Sequence, residues 1–251
     1  MSQNPRHDQI LVLIRKFRKI SVQELTRRMD VSTVTIRKDL SFLEEQGLLI
    51  RTHGGAMLAE NRHVHPMLAQ RLNSFPKQKE AVARAASDLI TDGDTVYLDA
   101  GSTPAELAKL MKGRDLRVLT NSLEVMNILS GEPGIALVSV GGNYRREAGS
   151  YIGPLAEDTL RQFRMDVCFL GCSAFDETGS FSSQNIIETR LKKVALSVSR
   201  LKIILTDSSK FEAEAFSIFA EKNDIDILYT DSGFTEQEQF QRLGIEVVAA
   251  G

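Results

Sequence analysis

The stretch DAGSTPAEL, residues 99–107, follows the apolar run Thr95-Val96-Tyr97-Leu98 and precedes a helical pattern. Small residues between a strand and a helix leave backbone amides free to face an anion, and the helix dipole favours negative charge there. Thr103, Pro104 and Glu106 fit the rules for a helix start: an N-cap, proline at the first helical position, and glutamate three residues past the cap. By itself the pattern reads equally as a well-capped helix or as a phosphate-binding helix start. Lys210, in Asp207-Ser208-Ser209-Lys210, adds a fixed cation, and Thr120-Asn121-Ser122 and Gly141-Gly142-Asn143 add two more small or polar loops.

Other reactive residue types offer less. Cys168 and Cys172 are spaced to share one face of a strand, which suits small buried residues, and all four histidines (His7, His53, His63, His65) lie far from them in sequence. His63 and His65 stand in a polar stretch without carboxylate or thiol partners at ligand spacing, so neither a metal nor another cofactor is expected.

The loops gain meaning from the elements that carry them. From Lys79 onward, helical stretches such as KEAVARAASDLI and IETRLKKVALSVS alternate with strands such as DTVYLDA, LRVLTN, IALVSVGG, MDVCFLGCSA, LKIILTD, IDILYTD and IEVVAA. Near-continuous Val/Ile/Leu strands separated by helices predict an α/β fold with a mostly parallel sheet covered on both faces. Ligands on such sheets bind beyond the carboxyl ends of the strands, where all four loops fall.

The first third reads differently. Ile10, Leu13, Ile14 and Phe17 have helical spacing; Ser21 and Glu24 form a capping box for a second, short helix carrying Leu25 and Met29. Ser32 then caps a third helix with Thr33, Ile36, Leu40 and Leu43 on one face and Gly47 as its stop. Two short helices joined by a tight turn and followed by a longer one predict a helix-turn-helix, with Thr35, Arg37, Lys38 and Ser41 on the side that would meet base edges and phosphates. LLIRTHGGAML, residues 48–58, predicts a hairpin around His53-Gly54-Gly55. Beside the helices it would be a wing, touching the DNA backbone through Arg51 and His53.

Composition supports two parts. Residues 1–63 carry 11 Lys and Arg against 7 Asp and Glu, whereas the remaining 188 carry 20 against 26, for a net charge of −2 over 251 residues. A basic head suits a polyanion partner. No window is apolar enough to span a membrane and the first residues are polar, so a cytoplasmic protein is expected. The expected division is residues 1–59 as the winged helix-turn-helix, 60–78 as a linker with Pro66 and Pro76, and 79–251 as the α/β domain.

VSTVTIRKDLSFLEEQGLLIRTHGGA, residues 31–56, closely resembles the N-terminal signature of the DeoR family of bacterial transcription regulators, and the likeness runs along nearly the whole chain. It implies a body similar in fold to ribose-5-phosphate isomerase that senses a phosphorylated sugar. The candidate DNA-facing residues are Ser32, Thr33, Thr35, Arg37, Lys38, Arg51, His53 and Gly54. For the effector, Ser102, Thr103 and Lys210 match the family's motifs directly; Asp99, Gly101, Asn121, Gly142 and Glu188 follow by position, and Arg145 belongs to a variable pocket wall. The isomerases carry Asp-Gly-Ala-Asp and Lys-Gly-Gly where this chain has LGCSAFD and SFSSQN, so both aspartates become Leu170 and Ser173 and the lysine is lost. The reading is therefore a regulator, a repressor of carbohydrate use released from its operator by a sugar phosphate and working as a dimer or tetramer. Its rival is a sugar-phosphate isomerase or deaminase with a basic N-terminal extension.

Overall fold

The computed structural model describes residues 5–17, 19–45, 49–52, 54–58 and 67–251. The chain divides into two compact units, Met1–Pro76 and Lys77–Gly251.

In the first unit, α1 (Pro5–Phe17) buries Ile10, Leu11 and Ile14 against Val22 and Leu25 of α2 (Val22–Met29) and Ile36, Leu40 and Leu43 of α3 (Thr33–Glu45). Between α1 and α2 lies a short strand, β1 (Lys19–Ser21); β2 (Leu49–Thr52) and β3 (Gly55–Leu58) follow α3. The strands form an antiparallel sheet in the order β1-β3-β2. The hairpin is as expected, while β1 is an addition too short to announce itself by periodicity. Ser21 caps α2, its hydroxyl accepting from the Glu24 amide at 3.1 Å. Glu24 does not complete a capping box, because its carboxylate accepts from Arg28 one turn on. Thr33 is exposed rather than part of the buried stripe, since at ~100° per residue it stands roughly 60° away from Ile36. The Gly47 stop, His53, His63, His65 and the start of the expected linker lie outside the described residues. Within that linker the chain forms α4 (Leu68–Asn73).

The second unit opens with α5 (Pro76–Ser87), then β4 (Thr95–Leu98), α6 (Ser102–Leu110), β5 (Leu116–Thr120), α7 (Leu123–Leu129) and β6 (Ile135–Ser139). A hairpin, β7 (Asn143–Arg145) and β8 (Ser150–Ile152), leads to α8 (Pro154–Arg161) and β9 (Met165–Gly171). Then come β10 (Ala174–Phe175), β11 (Phe181–Ser183), α9 (Ile186–Val198), β12 (Ser199–Leu205), β13 (Ser217–Ala220), β14 (Ile227–Asp231), α10 (Gln237–Arg242) and β15 (Glu246–Ala250). Seven strands make one parallel sheet in the order β15-β14-β12-β9-β4-β5-β6. Strand alternation sorts the core into two layers. Val96, Leu98, Val167, Phe169, Ile203 and Leu205 pack with α5, α6 and α7, while Tyr97, Cys168, Leu170 and Ile204 pack with α8, α9 and the rings of Phe175, Phe181, Phe234 and Phe240. A small antiparallel sheet, β10-β11-β13, covers part of the second face.

Candidate anion site and nucleic-acid interface

The chain winds from β4 outward through β5 to β6, returns to place β9 on the other side of β4, and continues outward to β15. The carboxyl ends of β4 and β9 are thus the switch point of the sheet, the place where ligands of open α/β sheets bind. Asp99 follows β4 and Gly171 ends β9, and Lys192 of α9 joins them. Its ammonium donates to the Asp99 carboxylate and, at 2.8 Å, to the Gly171 carbonyl. Asp99 also accepts from the Gly171 amide at 3.2 Å. Lys192 lies 3.7 Å from Glu188 one turn earlier, and Glu188 accepts from Arg145 of β7 at 2.8 Å. Burial works against the Lys192 charge, but the adjacent Asp99 and Glu188 carboxylates outweigh it and hold its pKa above the usual lysine value.

This chain of alternating charges engages three of the expected ligand residues, Asp99, Glu188 and Arg145, with one another or with Lys192. Lys192 is the residue the sequence reading missed. Its signal was its place on α9, where Leu191, Val194 and Ala195 around it are all buried.

Beside it lies a second group, made of donors. α6 begins at Ser102 with Gly101 as its cap, so Thr103 is not the N-cap and Pro104 is the third helical residue. Glu106 pairs with Lys109 instead of reaching back to a cap. The reason is local: Gly101, extended at φ 171, lets the helix start two residues early, and its carbonyl accepts from Ala105 at 3.1 Å. As the first two helical residues, Ser102 and Thr103 have amides without an intrahelical partner, and Pro104, the third, has no N–H of its own to satisfy. The Asn121 side-chain oxygen accepts from the Ala100 amide at 2.9 Å, which brings Asn121 to this helix start. Its Nδ2 is buried and unpaired, as is the hydroxyl of Ser150 on β8. Ser150 is adjacent, because Ser122 bridges to it and the Tyr151 amide donates to the Asn121 carbonyl at 2.7 Å. Gly142 permits this closeness: it holds φ 107, and a Cβ there would come within 2.6 Å of the Ile152 carbonyl oxygen.

Lys210 ends a turn beyond β12 that Asp207 builds by accepting from the Ser209 amide and hydroxyl. The Lys210 ammonium makes no ion pair among the described residues. Both Lys192 and Lys210 act on the thiol of Cys172, just past β9, which burial pushes up to about 11. Asp176, the carboxylate nearest in sequence to the lost isomerase aspartates, is occupied in its own turn, accepting from Thr178 and the Ser180 amide. Among the described residues, no three His, Cys, Asp or Glu side chains group as metal ligands.

In the first unit, Ser32 caps α3 by accepting from the Thr35 amide at 3.1 Å, and the two hydroxyls lie 2.9 Å apart. These two candidates therefore engage each other. Arg37 and Lys38 are exposed. Arg51 donates to Ser41 at 2.7 Å while its amide donates to Glu44 at 3.0 Å, so β2 of the wing is pinned to α3. Gly54 follows β2, and its carbonyl accepts from Val22 at 2.8 Å.

A family model described as a DeoR-like helix-turn-helix domain matches residues 6–62, and one described as the DeoR C-terminal sensor domain matches residues 74–232. The chain belongs to the DeoR family. It is similar to the glycerol-3-phosphate regulon repressor of Escherichia coli strain K12, with 34% identity covering 92% of each chain. It is similar also to the lactose phosphotransferase system repressor of Lactococcus lactis, with 33% identity covering 96% of this chain and 97% of that one. Among solved structures, ribose 5-phosphate isomerase A from Methanocaldococcus jannaschii is similar over 55% of each chain, at 20% identity and a TM-score of 0.42. This DeoR-family member is a DNA-binding transcriptional regulator, of the repressor type and not an enzyme. No helix among its described residues is long and apolar enough to cross a membrane.

Proposed function

We propose that this regulator represses a carbohydrate-utilisation operon from the cytoplasm and leaves its operator when a phosphorylated sugar binds the α/β unit. The observation that carries this reading is the cluster of unpaired donors at the carboxyl edge of the sheet: the Ser102 and Thr103 amides, Asn121 Nδ2 and the Ser150 hydroxyl. Buried donors without acceptors are costly unless something supplies oxygen atoms, and a phosphate supplies several. Lys210 adds the charge, with Gly101 and Gly142 leaving the backbone open to the ligand. Asp99, Glu188 and Arg145 hold the floor and wall of the same site. The DNA is held by Thr33, Arg37 and Lys38 on α3, steadied by Ser32 and Thr35, with Arg51, His53 and Gly54 in the wing. We assign residues 1–59 to DNA, 60–78 to the connection and 79–251 to the effector, and expect a dimer or tetramer to match a palindromic operator.

The test is a thermal-shift screen of the full-length protein against pentose, hexose and triose phosphates and their unphosphorylated parents. Phosphorylated members are expected to raise the midpoint and their parents to leave it in place. The best ligand should then displace a DNA duplex enriched from a random pool by the protein itself. Absence of any phosphate-dependent shift, or a shift without displacement, would overturn the proposal.

A further inference from the structure

On α3, Ile36, Leu40 and Leu43 are buried, whereas Val34, Arg37, Lys38 and Ser41 follow the i, i+3, i+4, i+7 spacing of the outer face. Val34 is 61% exposed. That is an unusual residue for its position. A β-branched side chain lowers helix propensity, and an exposed apolar one recovers nothing from the core. Of the other exposed apolar side chains of this unit, Phe42 stacks on His7, with ring centroids 4.9 Å apart, and Phe17 lies 4.7 Å under the Arg28 guanidinium, while Val12 on α1 and Met67 lie away from α3 in sequence. Val34 has no such use, and the two side chains that follow it on the same face are exposed cations.

The chemistry around Val34 narrows what it meets. Arg37 and Lys38 call for a polyanion, and the first turn of the second helix of a helix-turn-helix is aimed at base edges. Val34 stands between Thr33, which is exposed, and Thr35, whose hydroxyl is turned to Ser32 in capping the helix. An apolar group directed at the major groove finds one apolar partner there, the C5-methyl of thymine. We propose that Val34 is a specificity-determining residue that packs on the methyl group of one thymine in each operator half-site, with Arg37 and Lys38 holding the adjacent phosphates or base edges. The inference rests on the reading of α3 as the DNA-contacting helix.

The experiment uses the full-length protein and duplexes enriched by it from a random pool, with each thymine replaced in turn by deoxyuridine, which lacks only the methyl group. One thymine per half-site is expected to lose roughly fourfold in affinity, the worth of one buried methyl group. Val34→Ala, an exposed change to a better helix former, should bind the thymine and deoxyuridine duplexes equally well and keep the wild-type circular dichroism. If no replacement costs wild type more than twofold, or if Val34→Ala shows the same loss as wild type, the proposal is overturned while sequence-specific DNA binding stands. If wild type prefers no enriched duplex over scrambled DNA, both the proposal and the reading of α3 fall. If Val34→Ala leaves every duplex affinity unchanged, the Val34 face serves something other than DNA, and the proposal is overturned.

Discussion

Lys192 and Lys193 are neighbours of the same type with opposite surroundings. Lys192 is buried among Asp99, Glu188 and the Gly171 carbonyl, with its ammonium 5.2 Å from the Phe219 ring, whereas Lys193 is exposed. Removing one partner of a buried pair strands the other charge, at a cost of about 3–5 kcal/mol. Lys192→Met should therefore cut the stability of the α/β unit by about that much in chemical denaturation, and Lys193→Met should barely change it. Equal effects of the two would mean that the Asp99–Lys192 pair does not hold this end of the sheet. Lys210 is a third case, because its ammonium has no carboxylate partner among the described residues to strand. Lys210→Ala should leave stability and ligand-free DNA binding near wild type while weakening sugar-phosphate binding by about 1.5–3 kcal/mol, the worth of a charge-assisted hydrogen bond. Unchanged calorimetric affinity for the best screened ligand would remove Lys210 from the site. The sequence exposes Lys210 through its short polar motif, but it cannot tell Lys192 from Lys193 until the apolar positions around the helix are counted. Asn121 and Ser150 become a pair only when β5 and β8 are brought together, which no local pattern reveals.

At the scale of elements, the first unit depends on two joints. Asp39 of α3 accepts from Arg6 at 2.6 Å and lies 2.9 Å from the His7 ring, tying α3 to α1. Burial alone would raise the Asp39 carboxyl, but these donors hold it below the ordinary value of 3.8. A carboxyl lowered in the folded state stabilises the fold above its unfolded value, and that contribution is lost as the pH falls through ~4 and below. Asp39→Asn should thus weaken the unit at neutral pH by about 1.5–3 kcal/mol and flatten its loss of protection between roughly pH 5 and 3. Hydrogen exchange of the α3 amides reads this, and an unchanged acid slope would show that another group governs it. The second joint is Gly55, where a Cβ would overlap the Ile20 carbonyl oxygen. Gly55→Val should part β1 from β3 and cost about 1–3 kcal/mol or more, the range for overpacking, with DNA binding lost and ligand binding kept. If ligand binding fell as well, the three-stranded sheet would matter beyond its own unit. The sheet of the second unit was legible because its strands are Val/Ile/Leu runs of four to seven residues divided by helices. β1, β7, β8, β10, β11 and β13 have two to four residues each, too few for a period to show.

At the scale of the whole molecule, the sequence shows a basic first stretch and an acidic remainder, and the structure shows two compact units that divide after Pro76. What joins their functions is a free-energy coupling. An effector lowers operator affinity only by binding the DNA-free arrangement better than the DNA-bound one, and a tenfold effect needs about 1.4 kcal/mol. Linkage makes that coupling reciprocal, so the operator must lower effector affinity by the same factor. Two titrations of the same protein therefore check each other: the enriched duplex with and without saturating ligand, and ligand with and without saturating duplex, at one salt concentration because phosphate contacts make DNA affinity strongly salt-dependent. The two ratios should agree. Arg37→Ala should weaken duplex binding and leave ligand affinity in the absence of DNA unchanged. Lys210→Ala should do the reverse, and a saturating ligand concentration should still restore full release. Release that disappears in Lys210→Ala even at saturation would make Lys210 part of the coupling itself. Linkage holds for any number of states, so unequal ratios would show only that one titration had not reached equilibrium or saturation; two ratios of one would mean that ligand and operator are uncoupled, and release by the effector would have to be abandoned.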